Sequence, residues 1–161
     1  MFRRLYLSLI SKFTHPQLVG SSLVWAWQKQ SSDVDTSLSV LVVDDSGMMI
    51  SILRNLLRQI GFSTVDDARD GPDALTKMRA GKRYGLVISD WNMEPMSGYD
   101  LLCAIRHDEV LKRTPFIMVT GEAKTENVIA ARKAGVSNYI VKPFNAQTLK
   151  AKIETVFQRA R

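Results

Sequence analysis

The feature that most constrains this chain is an apolar run that ends abruptly on a carboxylate. Residues 87–89 lead directly into Asp90, and a turn-forming stretch with Pro95 and Gly98 follows. The run has the length and composition of a buried strand. Because ligands bind just beyond the carboxyl ends of strands in an open parallel sheet, the pattern predicts that Asp90 stands at the mouth of a site.

From Leu38 onward, short β-branched runs alternate five times with amphipathic helical patterns. Connections this short favour parallel strands joined by right-handed crossovers, and hence an α/β fold with a doubly wound parallel sheet. The predicted strands are Val40–Val43, Ser63–Asp66, Leu86–Asp90, Phe116–Thr120 and Tyr139–Val141. The predicted helices lie near residues 47–60, 72–80, 98–107, 125–134 and 146–159.

The first and last helices have the clearest patterns. Gly61 is positioned to end the first helix, and Asn145 is a candidate N-cap of the last. The apolar stripe predicted for the first helix is Met49, Ile52, Leu53, Leu56, Leu57 and Ile60, and that for the last is Leu149, Ile153, Val156 and Phe157.

Composition excludes several classes of protein. The 161 residues are 45% hydrophobic and 24% charged, which is neither a disordered nor a membrane-protein balance. A single cysteine, Cys103, allows no internal disulfide and fits a reducing cytosol. The net charge of +6 comes without a Lys/Arg-rich run or interleaved aromatic residues, so it favours a modestly basic solvated surface over a nucleic-acid site.

Residues 1–37 differ in pattern from the remainder of the chain. Their apolar positions from Phe2 to Phe13 have helical spacing, and Trp25 and Trp27 precede a linker-like polar stretch. The apolar core is too short to span a bilayer and lacks a cleavage site for a signal peptide. A membrane-touching interfacial helix remains an alternative to a poorly ordered extension or a start codon set too far upstream, and we favour these last two.

Three further groups follow the other strands. Asp44-Asp45 end the first, Thr120 ends the fourth, and Lys142 ends the fifth just before a proline. In isolation the acid pair is more simply a helix cap, Thr120 a β-former and Lys142 a surface lysine. Three carboxylates at one edge, however, repel one another unless a cation neutralises them, and Mg²⁺ suits such hard oxygen ligands.

Together these residues predict a phosphoryl-transfer site. Asp90 can attack phosphorus as a carboxylate nucleophile and become an acyl phosphate. Mg²⁺ would neutralise phosphoryl oxygens, Lys142 would add a positive charge and the Thr120 hydroxyl a hydrogen bond. Gly121, without a Cβ, would leave room for the phosphoryl group.

Four blocks of the sequence resemble the signature blocks of two-component receiver domains, of the CheY-like chemotaxis type. The resemblance implies one flavodoxin-like (βα)5 domain over residues 38–161, with strand order 2-1-3-4-5, after an N-terminal extension over residues 1–37. The blocks are Val42-Val43-Asp44-Asp45, Ser89-Asp90-Trp91-Asn92-Met93, Met118-Val119-Thr120-Gly121-Glu122-Ala123-Lys124 and Tyr139-Ile140-Val141-Lys142-Pro143-Phe144.

The resemblance also implies the roles of the site residues. Asp90 would accept a phosphoryl group from a CheA-like histidine kinase, with Mg²⁺ held by Asp44, Asp45, Asp90 and the backbone carbonyl of Asn92. Self-catalysed phosphorylation and dephosphorylation would be the only chemistry, tuned by Asn92 and Glu122, so the chain would not be an enzyme acting on an external substrate. A phosphatase is a further implied partner.

On phosphorylation, Thr120 would be drawn to the acyl phosphate and Tyr139 would turn inward. This would remodel the face built from helix 125–134, strand 139–142 and helix 146–159, which in such proteins binds a FliM-like flagellar motor switch protein. The implied protein is a cytoplasmic monomer without nucleic-acid binding or stable membrane insertion. A phosphate shuttle or sink in a non-chemotaxis phosphorelay is the alternative.

Some positions depart from the family pattern. Glu94 replaces a common proline, one extra residue is present around Lys82-Arg83, and the stretch 46–48 places Gly47 at the start of the first helix. Among other classes, a haloacid-dehalogenase-like phosphatase would need an acid where Asn92 stands. A transcription factor would need a DNA-binding module, for which the sequence after the last helix leaves no room.

Overall fold

Five strands alternate with five helices in the structure, a computed structural model that describes residues 34–122 and 124–159. The strands are β1 (Val40–Val43), β2 (Val65–Ala68), β3 (Leu86–Asp90), β4 (Phe116–Thr120) and β5 (Asn138–Val141). The helices are α1 (Gly47–Ile60), α2 (Gly71–Arg79), α3 (Gly98–His107), α4 (Thr125–Lys133) and α5 (Ala146–Arg159).

The strands form one parallel sheet in the order β2-β1-β3-β4-β5. This confirms the predicted doubly wound α/β fold and its strand order. Because all five strands are parallel, their carboxyl ends lie at one edge of the sheet, and the residues that follow β1, β3, β4 and β5 are gathered there.

The predicted bounds of β2 were wrong by two residues. The sequence favoured Ser63–Asp66, but the strand is Val65–Ala68 and so includes Asp67, although aspartate is depleted in strands. Both carboxylates are satisfied at this sheet edge by cations from elsewhere. Arg54 of α1 pairs with Asp67, and Lys82 pairs with Asp66.

The apolar core lies in two layers, one on each face of the sheet. Alternate residues of a strand point to opposite faces, so Leu41 and Val43 contribute to the layer under α2 and α3, whereas Val40 and Val42 contribute to the layer under α1 and α5. Because both faces are covered, the central strands are buried along their whole length.

The predicted stripe of α1 needs one correction. Ile50, Leu53 and Leu57 are its buried residues, whereas Ile52 is 41% exposed. Ile50 precedes Leu53 and Leu57 by one and two helical turns and so faces the sheet with them. The predicted stripe of α5 is confirmed, with Leu149, Ile153 and Val156 buried and Phe157 packed partly against them.

Local signals end or begin the helices as expected. Gly61 ends α1 in the left-handed conformation, with φ of 119°. Asn145 caps α5 by accepting a hydrogen bond from the backbone of Thr148 at 2.9 Å. The cap of α1 is Ser46, so the interpretation of Asp44-Asp45 as that cap was wrong.

The N-terminal extension predicted over residues 1–37 lies outside the described residues except for its last four. The boundary at residue 37 therefore stays a prediction. Within the described part of the chain, none of the helices is both long enough and apolar enough to cross a bilayer.

Candidate functional site

Four strands deliver the predicted site residues to the carboxyl edge of the sheet. The register pairs Val43 of β1 with Ser89 of β3, so the next residues, Asp44 and Asp90, lie side by side at neighbouring strand ends. On the other side of β3, Asp90 itself pairs with Val119, one residue before Thr120. Lys142 comes directly after β5, and its backbone N–H donates to the carbonyl of Thr120 at 2.7 Å.

Both carboxylate oxygens of Asp90 are held by donors. Oδ1 accepts from Nζ of Lys142 at 2.6 Å, and Oδ2 accepts from the backbone N–H of Asn92 at 2.7 Å. The side chain is only 9% exposed. Asp90 therefore presents a fixed, largely desolvated carboxylate at the strand end, in the orientation set by Lys142 and the following turn.

Asp44 is the more deeply buried acid, with 2% of its side chain exposed. Its Oδ1 accepts from the backbone N–H of Ser46 at 2.9 Å, whereas Oδ2 is buried without a hydrogen-bond partner. Burial raises the pKa of Asp44, and the negative charges of Asp90 and Asp45 add to this increase. The Ser46 N–H and Lys142 oppose it and reduce it only in part.

Lys142 is the cation between the two acids. Its ammonium lies 2.6 Å from Asp90 Oδ1 and 3.5 Å from Asp44 Oδ2. Burial disfavours the charged ammonium, but the two carboxylates outweigh that effect and raise the pKa of Lys142. The peptide bond from Lys142 to Pro143 is cis.

Asp45 has a different environment from Asp44. It is exposed and lines an open depression of about 260 Å³ at the mouth of the site. The other residues that line this depression are Trp91, Asn92, Met93, Glu94 and Ser97. The acid pair thus contributes one buried and one exposed carboxylate.

The donor set suits a hard divalent cation. Two carboxylates, Asp44 and Asp90, face one ammonium, and Asp45 adds a third negative charge beside Asp44. Asp44 Oδ2 is a buried oxygen without a hydrogen bond, which a cation would satisfy. Among the described residues, no group of three His, Cys, Asp or Glu side chains is already close enough to enclose a metal. The residues therefore fit Mg²⁺ in chemistry and charge, while Lys142 provides the compensating charge in this structure.

Thr120 and Tyr139 lie on the β4–β5 side of the site. Thr120 is 1% exposed, and its hydroxyl accepts from the backbone N–H of Glu122 at 3.2 Å. The Tyr139 hydroxyl donates to the carbonyl of Glu122 at 2.9 Å. Burial raises the pKa of Tyr139, and the Thr120 hydroxyl lowers it in part. The Glu122 carboxylate pairs with Lys124 at 2.7 Å.

Two features beside the site were not predicted. Trp91 stacks on Tyr99 with ring centroids 5.7 Å apart and meets Tyr139 edge-on at 6.5 Å, forming an aromatic bridge between β3, α3 and β5. Gly98 lies so close to Asp90 that a Cβ there would overlap the Asp90 carbonyl oxygen. No local sequence pattern predicts the stacking of Trp91 on Tyr99, which lies eight residues further along the chain. The glycine that begins α3, so soon after a strand-end acid, is a sequence signal for close approach of the two backbones.

Comparison with known proteins decides the family. Residues 40–154 match the response regulator receiver domain, and this span contains every predicted site residue. The chain belongs to the receiver family. Receivers are the response-regulator modules of two-component systems, so the fold and the family now agree with the resemblance seen in the four sequence blocks.

Individual receivers of the chemotaxis type are similar over nearly their whole length. The chain is 48% identical over 122 residues to the chemotaxis protein CheY of Pseudomonas aeruginosa, covering 76% of this chain and 98% of that protein. It is 47% identical over 126 residues to CheY-3 of Vibrio cholerae, covering 78% and 96%. The solved structure of Vibrio cholerae CheY4 matches with a TM-score of 0.69 at 34% identity, covering 74% and 98%.

Proposed function

We propose that this receiver is a stand-alone CheY-like phosphoacceptor that takes a phosphoryl group on Asp90. The observation that carries the proposal is the fixed carboxylate of Asp90, which lies between the Lys142 ammonium and the Asn92 N–H, beside the buried acid Asp44. The histidine kinase that supplies the group would be CheA-like, since the chain is similar to CheY proteins over nearly their whole length.

The transfer is a single displacement at phosphorus. An oxygen of Asp90 bonds to phosphorus while the bond from phosphorus to the imidazole nitrogen of the donor breaks, and the electron pair stays on the imidazole. No general base is needed because a carboxylate is already deprotonated. Lys142 orients the Asp90 carboxylate for in-line attack and can then pair with a phosphoryl oxygen. The chain would not turn over an external substrate.

Mg²⁺ would be held by Asp44, Asp45, Asp90 and the backbone carbonyl of Asn92, and when bound it neutralises charge on the phosphoryl oxygens. The buried, unpartnered oxygen of Asp44 supports this assignment. Asn92 and Glu122, which are both exposed, would tune the rate of dephosphorylation.

The output face would be the one built from α4, β5 and α5. Of the α4 residues, all of which the structure describes, Ala131 alone is buried, so few contacts hold this helix to the sheet. A groove of about 920 Å³ separates α4 from α5 across β5, and Tyr139 lines it. Movement of Thr120 toward the acyl phosphate and of Tyr139 toward the core would reshape this groove for a FliM-like motor switch protein. Such a monomeric messenger would act in the cytoplasm, and a phosphatase could end the signal.

The first test is phosphorylation of Asp90→Asn. We expect the wild-type chain, incubated with Mg²⁺ and a histidine kinase, to gain one hydroxylamine-sensitive phosphoryl group and the variant to gain none, because the nucleophile is removed. Asp35→Asn is the matched control, since Asp35 is an exposed aspartate before β1, at the opposite edge of the sheet. A phosphoryl group on the Asp90→Asn variant at the wild-type level would refute the assignment.

A second test measures binding to the proposed partner, a motor switch protein. Val141 is 40% exposed on β5 and Val110 is 85% exposed after α3. We expect Val141→Asp to weaken binding of the phosphorylated chain to a motor switch protein by about tenfold, and Val110→Asp to leave binding unchanged. If the phosphorylated wild type does not bind a motor switch but passes its phosphoryl group to a second histidine protein, the shuttle function replaces the chemotaxis one.

A further inference from the structure

Arg69 places a second positive charge at the rim of the acid site. It follows the last residue of β2, and the adjacent end of β1 is held to it because the backbone N–H of Asp44 donates to the carbonyl of Ala68 at 3.2 Å. The Arg69 guanidinium extends toward the residues after β1, and its Nη1 donates to the backbone carbonyl of Asp45 at 3.4 Å. The side chain is therefore directed toward the acid pair, not away from the sheet edge.

Gly47 leaves space beside this guanidinium. A Cβ at Gly47 would lie 3.0 Å from both Nη1 and Nη2 of Arg69, which is closer than such atoms normally approach. Gly47 has no positive φ and its helix would be more stable with alanine, so neither backbone conformation nor helix propensity accounts for the glycine. The departure from the family pattern at residues 46–48 thus makes room for the Arg69 side chain.

The charge of Arg69 is not neutralised by the acids around it. Within residues 34–122 and 124–159, no carboxylate forms an ion pair with its guanidinium. Asp67 pairs with Arg54, and Asp70 caps α2. Asp73 pairs with Lys77 and accepts the backbone N–H of Arg69, not its guanidinium. The guanidinium is exposed and available to an anion that approaches the site.

We propose that Arg69 is an electrostatic steering residue for the phosphodonor, an inference that rests on the proposed function of Asp90. An anionic phosphodonor must approach a site that carries three carboxylates, and a fixed cation at the rim offsets that repulsion. The same charge opposes entry of Mg²⁺. Loss of the charge must therefore slow phosphorylation and tighten Mg²⁺ binding, two effects of opposite sign that a packing role would not produce.

The test measures both effects on the full chain with acetyl phosphate as the probe, a donor small enough to make no other protein contacts. We expect Arg69→Gln to lower the second-order rate of phosphorylation about threefold at low ionic strength, and the loss to vanish near 0.5 M salt, where roughly 4 Å of screening length remains. The Mg²⁺ dissociation constant, measured by calorimetry without phosphodonor, is expected to fall about twofold. Dephosphorylation of the loaded protein is expected to be unchanged.

Two variants separate charge from packing. Arg69→Lys keeps the charge and is expected to retain most of the rate and its salt dependence, whereas Gly47→Ala keeps Arg69 but displaces its guanidinium and is expected to lose part of the rate. Arg113→Gln is the matched control, because Arg113 is an exposed arginine just before β4, at the opposite edge of the sheet. It makes the same change in net charge and is expected to alter neither quantity.

The outcomes distinguish this inference from the proposed function. Normal phosphorylation of the wild type, together with the same rate and Mg²⁺ affinity in Arg69→Gln as in Arg113→Gln, overturns the role of Arg69 alone. A loss that is equal in Arg69→Gln and Arg69→Lys at every salt concentration also overturns it, since the charge would then be irrelevant. A wild-type chain that accepts no phosphoryl group overturns both proposals together.

Discussion

The buried carboxyl of Asp44 lowers the stability of the folded chain. A carboxylate that is 2% exposed, has one unpartnered oxygen and lies near two other acids is an unfavourable place for a negative charge. Burial, together with the neighbouring acids, is the reason that the pKa of Asp44 is raised. The arrangement suits a site that binds a cation, because a second cation beside Lys142 would offset the remaining cost of assembling the acids.

Replacement of this carboxyl is expected to stabilise the metal-free protein. Because the pKa of Asp44 is higher in the folded chain than its ordinary value of 3.8, stability falls as pH rises from that value through the raised pKa, and stays lower above it. Asp44→Asn removes this loss while keeping an oxygen for the Ser46 N–H. We expect about 1 kcal/mol more free energy of unfolding at pH 7 in EDTA, and no gain below pH 3, by urea denaturation.

Excess Mg²⁺ provides the control for this prediction. Mg²⁺ bound as proposed would stabilise the folded wild type by mass action, and it would stabilise Asp44→Asn less because one proposed ligand is lost. The difference between the two proteins is therefore expected to narrow or reverse on addition of Mg²⁺. A variant that is less stable than the wild type in EDTA at pH 7 would contradict this explanation of the raised pKa.

At the scale of elements, the turn from β3 to α3 fixes the backbone of Asp90. The N–H of Trp91 donates to the carbonyl of Val119 at 2.8 Å, and the N–H of Gly98 donates to the carbonyl of Trp91 at 2.9 Å. Ser97 caps α3 by accepting from the backbone of Asp100. The helix therefore begins directly against the strand end, and this close approach requires glycine at position 98.

Two glycines of the site make a matched pair. A Cβ at Gly98 would overlap the Asp90 carbonyl oxygen, whereas a Cβ at Gly121 would meet nothing within 4 Å. We expect Gly98→Ala to lose roughly 3 kcal/mol of unfolding free energy through backbone displacement, and Gly121→Ala to change it by less than about 0.5 kcal/mol. Thermal and urea unfolding of the two variants measure this difference. Equal stability of the two variants would show that α3 shifts freely against β3.

Phosphorylation of the Gly121 variant adds a second measurement. If the space beside Gly121 is where the phosphoryl group lies, Gly121→Ala slows phosphoryl acceptance without loss of stability. An unchanged rate would place the phosphoryl group elsewhere around Asp90.

At the scale of the whole molecule, the part of the chain from Val34 onward forms a compact unit with an apolar core of its own. Two apolar layers cover the two faces of the sheet, and the family match spans residues 40–154. The similar CheY of Pseudomonas aeruginosa is covered over 98% of its length by 122 residues of this chain. A domain of this size buries enough apolar surface to fold alone.

A chain that begins at Val34 is therefore expected to keep the receiver's properties. We expect its unfolding midpoint in urea to be within error of that of the full chain, and its rate of phosphorylation by acetyl phosphate to be unchanged. Asp90→Asn in the shortened chain is the control for background labelling. A shortened chain that fails to fold, or that accepts a phosphoryl group much more slowly, would assign residues 1–33 a part in the receiver itself.

Most of the fold followed from local patterns. Hydrophobic periodicity gave the bounds of β1, β3, β4 and three helices, because those segments are buried on one or two faces and their side chains record it. Periodicity misplaced β2 by two residues, where the strand continues past Asp66 through Asp67. Their charges are satisfied by Lys82 and Arg54 from other elements, and such pairing across the fold leaves no trace in a local window.

The acids, hydroxyl and lysine of the site were predictable from sequence because each one ends a strand, and parallel strands carry their ends to one edge. Only the tertiary structure decided which of these charged and polar groups contact one another. The contact of Lys142 with Asp90, the orphaned oxygen of Asp44 and the position of Arg69 over Gly47 join segments that are distant in the chain. Periodicity records whether a side chain is buried, but charge pairing depends on distances between atoms that only the assembled sheet brings together.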